Sequence, residues 1–117
     1  MKYSFYKKEI KSTNSLYFLV KAENSPVEWL EFRKSTYQEI DEIIEGVTFS
    51  KTSDEDYEYQ TEDDNLYIIS NKKEVEFYDM SPLKLGEKEV ENASLVLTHD
   101  EFIKFLNDFK NFITANL

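Results

Sequence analysis

Cysteine is absent from the 117 residues, which excludes disulfides, thiolate metal sites and thiol nucleophiles. A lone histidine, His99, rules out a His-pair acid–base mechanism and a multi-histidine metal site. It follows a helix-capping threonine, and an ordinary exposed role is expected, because a general base needs a pocket and an oriented partner. Gly46 and Gly86 are the only glycines, so there is no glycine-rich phosphate loop. Two glycines and two prolines beside 15% aromatic residues point to a compact, strand-rich chain rather than disorder. The longest apolar run, Leu16 to Val20, is far too short to span a bilayer. The opening residues Met1 to Lys8 alternate instead of forming an apolar stretch, so a secretory signal is not expected and a cytoplasmic location is. Positive charge is also scarce. Fourteen Lys and Arg face 24 Asp and Glu, for a net charge of −10. Phosphate binding draws its affinity from cations releasing counterions, so direct nucleic-acid binding is disfavoured, as is an anionic membrane surface. A cationic protein is the partner that such a field attracts.

What the chain does contain is a dense acidic block. Seven of the eleven residues from Asp54 to Asp64 are acidic: Asp54, Glu55, Asp56, Glu58, Glu62, Asp63 and Asp64, with Tyr57 and Tyr59 threaded between them. Like charges this close repel one another and persist either in solvent or against a positive partner. Tyr57 and Tyr59 alternate with Glu58 as in a strand, which predicts an ordered acidic surface. Without a partner, the block is a solvated hairpin that keeps the protein soluble and blunts an edge strand. With one, it is a docking surface formed by Asp54, Glu55, Asp56, Tyr57, Glu58, Tyr59, Glu62, Asp63 and Asp64, to which the tyrosines (Tyr67 among them) bring the amphipathic rings typical of interface hot spots. Trp29 is a further candidate anchor, although a single tryptophan in such a chain more often sits in the core.

A single α+β domain over 1–117 is expected, with one antiparallel sheet of five or six strands and two helices. Strands are predicted over 2–7, 16–21 and 27–32, with a hairpin connection over 9–14, then over 57–61, 66–70 and 74–80. Thr36-Tyr37-Gln38-Glu39 matches a capping box, and Tyr37, Ile40, Ile43, Ile44 and Val47 follow at helical spacing, with Gly46 placed to end the helix. Residues 81–92 read as a polar loop tacked to the core by Leu83, Leu85 and Val90. Leu95 to Leu97 is a short apolar stretch. Thr98 and Glu101 form a second capping box before a broad stripe of Phe102, Phe105, Leu106, Phe109, Phe112 and Ile113.

No reactive constellation emerges. Asp54, Asp56 and Glu58 have the alternate spacing of an EF-hand loop, but Tyr59 stands where that loop needs glycine and Asn65 where it needs glutamate. Paired carboxylates could hydrolyse a glycosidic bond only with a cleft and one raised pKa, and a solvated strip predicts neither. No enzymatic activity, cofactor or metal is expected.

The opening Tyr3-Ser4-Phe5, the segment Tyr57-Glu58-Tyr59, and Ser94-Leu95-Val96-Leu97 running into Phe102, Phe105 and Phe109-Lys110-Asn111-Phe112 resemble the YacL-like family of short acidic bacterial proteins. In size, acidity and lack of cysteine the chain also resembles immunity proteins of contact-dependent growth inhibition and related polymorphic toxin systems. That resemblance implies an inhibitor that binds a cognate cationic toxin, a nuclease for preference, one to one. The acidic tyrosine-bearing hairpin would then occupy or border the groove that the toxin uses for phosphate. The YacL-like resemblance implies a housekeeping interaction or regulatory role, and a nucleic-acid mimic is a third alternative.

Overall fold

The computed structural model describes residues 1–81, 86 and 92–117. Two antiparallel meanders, each adjacent in sequence, form the sheets. The first joins β1 (Ser4–Ile10), β2 (Ser15–Lys21) and β3 (Glu31–Arg33) in the order β1-β2-β3. The second joins β4 (Tyr57–Gln60), β5 (Leu66–Ser70), β6 (Val75–Asp79) and β7 (Leu95–Leu97) in that order. Helix α1 (Glu39–Ser50) separates the two sheets in sequence, and α2 (His99–Ala115) closes the chain. The single sheet of five or six strands expected from sequence is therefore replaced by sheets of three and four strands. Alternation fixes which residues form strands but not which strands pair, and β3 has no partner in β4.

Several boundaries shift for identifiable reasons. The expected third strand over 27–32 begins as a 3-10 turn at Pro26–Trp29, and only Glu31–Arg33 pairs with β2. Proline at the start of that turn has the fixed φ the turn requires and no amide to leave unpaired. β1 runs on to Ile10, and its connection tightens to Lys11–Asn14, with Asn14 at a φ of 52°. Leu95–Leu97, read only as an apolar stretch, is a strand paired with Val75–Phe77. The expected loop over 81–92 lies largely outside the described residues, as do its tacks Leu83, Leu85 and Val90.

The capping box predicted at Thr36 does not form. Residues 36–38 already wind as a turn, in which the Thr36 carbonyl, not its hydroxyl, accepts from Glu39 N at 3.0 Å. Gln38 is helical in φ and ψ, without the extended geometry a capping side chain needs. Nor does Gly46 end α1, which continues to Ser50. Its lack of a side chain has a tertiary cause: a Cβ there would run into the ring of Tyr57. At the end of α1, Ser50 Oγ donates to the Val47 carbonyl at 2.7 Å and lies 2.6 Å from Ser70 Oγ, so the Ser70 hydroxyl donates across to the helix.

α2 matches its prediction at both the cap and the stripe. Thr98 accepts from Glu101 N at 3.1 Å, and Glu101 accepts from Thr98 N at 2.9 Å. Phe102, Phe105, Leu106, Phe109 and Ile113 are fully buried, and Phe112 is half-buried. This one stripe serves both sheets. Phe5 stacks on Phe109 at 4.6 Å, and Phe32 meets Phe109 edge-on at 5.3 Å, both from the first sheet. From the second, Phe77 meets Phe102 edge-on at 4.9 Å. Both sheets thus share one core, and edge-to-face rings add to the gain from area burial alone.

Candidate functional site

β4 divides the acidic block into two groups. Asp54, Glu55 and Asp56 lie in the turn before the strand, and Glu62, Asp63 and Asp64 in the turn after it. At about 3.3 Å per residue, Asp56 and Glu62 lie roughly 20 Å apart along the chain. Only Glu58 projects outward between them, beside Gln60. The acidic strip is thus two exposed ends joined by a strand carrying a single carboxylate.

The two ends differ. Before the strand, Lys72 pairs with Asp54 at 2.9 Å, while Glu55 and Asp56 meet no cation among the described residues. After it, Asp63 holds the turn together: its Oδ1 accepts from Thr61 Oγ1 at 2.7 Å and from Asn65 N at 3.0 Å. Asp64, at a φ of 61°, completes that turn, and Glu62 lies 3.8 Å from Arg33 of the first sheet. Asp63 is thus a turn-forming residue, whereas Glu55, Asp56 and Asp64 project their charge into solvent.

Tyr57 and Tyr59 are half-buried and pack on the core. They share the inner face of the second sheet with Ser70 and Ile68, their register partners. Burial raises the phenol pKa of Tyr57, and Glu42 and Glu39 of α1 raise it further. Burial likewise raises that of Tyr59 strongly, followed by Glu39. Glu39 is itself raised, first by desolvation and then by Glu62 and Glu42. Both rings are therefore packing elements between β4 and α1. The alternation with Glu58 was legible in sequence; which parity faced inward was not.

The aromatic groups on the outer face of this sheet come from its middle strands. Glu58, Ile69, Glu76 and Val96 form one cross-strand row, and Gln60, Tyr67 and Tyr78 the next. Tyr67 and Tyr78 face each other with ring centroids 6.4 Å apart. Tyr78 donates to Glu76 Oε2 at 3.1 Å, and the Tyr67 hydroxyl feels the carboxylate of Glu58. Both phenols are raised in pKa: Tyr67 first by the Glu58 side chain, Tyr78 first by desolvation. Two carboxylates are thus held beside two tyrosine rings, an arrangement suited to a guanidinium or ammonium group. Glu76 and Tyr78 were not among the residues singled out from sequence. Their shared parity, opposite Val75 and Phe77, was the available signal.

His99 is buried, contrary to its expected exposure, and its Nε2 donates to the Asn71 carbonyl at 2.6 Å. Asn71 also closes the β5–β6 turn by accepting from the amides of Lys73 and Glu74 at 2.8 and 3.0 Å. His99 therefore ties the start of α2 to that turn. Trp29, by contrast, is 36% exposed at the rim of an open groove. Among the described residues, no group of three or more His, Cys, Asp or Glu is arranged to hold a metal ion. No helix among them is long and apolar enough to cross a membrane. Comparison with protein-family models, curated proteins and solved structures finds no match to this chain.

Proposed function

We propose that this protein is an immunity protein that neutralises a cognate cationic toxin, a nuclease by preference, by one-to-one binding through its second sheet. The observation that carries this reading is the outer face of that sheet, where Glu76 is hydrogen-bonded to Tyr78, Glu58 lies beside Tyr67, and exposed Glu55, Asp56 and Asp64 flank them. A nuclease needs a positive groove for phosphate, and carboxylates held beside aromatic rings are complementary to the arginines and lysines of such a groove. The exposed acidic ends steer the encounter, while Tyr67 and Tyr78 supply packing area at low entropic cost. Tyr57 and Tyr59 act indirectly, by holding β4 on α1.

The test is growth protection by co-expression with a cationic toxin domain encoded beside this gene. The parent protects and forms a stoichiometric complex. Glu58→Lys/Glu76→Lys, folded and equally abundant, loses protection. Full protection by that double variant, or a parent that neither binds nor protects, removes the proposal and leaves the regulatory reading.

A further inference from the structure

Charge is partitioned unevenly along the chain. Residues 1–34 carry seven of the 14 basic residues and four of the 24 acidic ones, a net +3, which leaves −13 for the remainder. Within 35–117, Lys51, Lys72, Lys104 and Lys110 each pair with an aspartate. In the first sheet and its turns, only Arg33 has a carboxylate partner among the described residues, Glu62 at 3.8 Å. Lys2, Lys7, Lys8, Lys11, Lys21 and Lys34 meet no carboxylate among the described residues.

The same sheet ends in the longest open edge among the described residues. β1 pairs with β2 alone, and no described strand lies on its other side. Its seven residues span roughly 23 Å, against three or four residues in the other edge strands β3, β4 and β7. Lys7 and Lys8 sit near its centre, both exposed and pointing to opposite faces. Lysine on an edge normally deters pairing, but the deterrent depends on the charge of the incoming strand. A second copy pairing antiparallel about the strand centre would set Lys7 against Lys7. An acidic strand would meet complementary charge at the same positions.

Beside this edge, an open groove of about 610 Å³ is lined by Ser4, Tyr6, Val20, Lys21, Glu28 and Trp29. Tyr6 is 45% and Trp29 36% exposed. Glu28 Oε1 is engaged by the Ala22 amide at 2.9 Å, whereas Lys21 is unpaired among the described residues. The groove therefore presents two aromatic walls and one available cation.

We infer that β1 is a docking edge for an extended acidic segment of a partner protein, which adds as a fourth strand to the first sheet. Main-chain hydrogen bonds to the open edge supply affinity, as in other strand-addition interfaces. Adjacent carboxylates on the incoming strand meet Lys7 and Lys8, one on each face. An apolar residue two positions from the carboxylate opposite Lys8 lies over the groove between Tyr6 and Trp29. This interaction is independent of the second sheet and opposite to it in charge preference.

Trp29, the only tryptophan, reports on the groove directly. The probe is a blocked eight-residue peptide with a central glutamate pair flanked by valine and threonine, titrated into the full chain while Trp29 emission and amide exchange of residues 4–10 are followed. Saturable emission change with protection of the outward amides of β1 is expected, weakened about tenfold or more by Lys7→Glu/Lys8→Glu and unchanged by Glu58→Lys/Glu76→Lys. The same peptide with lysine for glutamate should not bind. The inference is overturned if the glutamate peptide leaves residues 4–10 unprotected at millimolar concentration, if the lysine peptide binds equally well, or if the edge variant binds like the parent.

Discussion

The two sheets rest on the same helix yet present opposite chemistry to solvent. The first shows unpaired lysines around Tyr6, Tyr17 and Trp29, with Arg33 lying 5.3 Å over the Tyr17 ring. The second shows Glu76 held by Tyr78, with Glu58 beside Tyr67. Inside, the two sheets are alike, since Phe5, Phe18 and Phe32 from one and Phe77 from the other all reach the α2 stripe. Stability is therefore shared between the sheets, while surface charge is divided between them. Changes at the helix should weaken both sheets together, and changes on an outer face should alter one recognition surface while leaving the fold intact.

The largest effect is expected where the two sheets meet. Phe109→Ala removes a fully buried ring that touches Phe5 and Phe32 of the first sheet. Phe102→Ala removes one that meets Phe77 of the second. Each should cost about 3–5 kcal/mol, a large share of a small domain's stability. Amide exchange should speed up in both sheets for either variant. Loss confined to one sheet would show that the two unfold separately.

A smaller effect, unusual in sign, is expected on the second sheet alone. Alanine in place of glycine within a helix normally stabilises by about 0.5–1 kcal/mol. Gly46→Ala should instead destabilise by about 1–3 kcal/mol through overpacking, because the Tyr57 ring occupies the space. Adding Tyr57→Ala should remove that penalty, which a double-mutant cycle by denaturant unfolding would measure. His99→Ala should cost about 1 kcal/mol through its hydrogen bond to Asn71, with faster exchange concentrated in the β5–β6 turn.

The smallest effect belongs to the first-sheet side. The hydrogen bond from Tyr3, and then that from Lys104, hold Asp108 below the ordinary aspartate pKa. A depressed folded pKa gives stability that is complete above the unfolded value and is lost as pH falls through the folded one. Tyr3→Phe should therefore raise the Asp108 pKa toward normal, read by NMR titration, and move this loss to higher pH.

What was legible in the sequence was local. Thr98 and Glu101 fixed the start of α2, and the spacing of Phe102, Phe105, Leu106, Phe109 and Ile113 fixed its buried face. What failed depended on backbone geometry or on contacts distant in sequence. The match at Thr36 to Glu39 had the right residue types, but the chain there was already turning. Gly46 looked like a helix end because nothing near it in sequence announces Tyr57. Of the candidate site, the acidic residues were legible as a group, but their separation to the two ends of β4 was not, nor was the inward direction of Tyr57 and Tyr59. The outward parity of Glu76 was readable from its alternation with Val75 and Phe77, but the alignment of Tyr78 with Tyr67 and of Glu76 with Glu58 across Ile69 emerges only from strand pairing.

On the proposed function, the acidic outer face of the second sheet captures a cationic partner. The most direct test of that capture is the association rate constant with the cognate toxin domain, measured by stopped flow across a range of salt concentrations. Glu58→Lys/Glu76→Lys should slow association about tenfold or more at low salt and flatten its salt dependence. Lys8→Glu/Arg33→Glu, the matching reversal on the first sheet, should leave the rate unchanged or raise it. A second-sheet variant that associates at the parental rate, or a first-sheet variant that loses as much, would contradict the account.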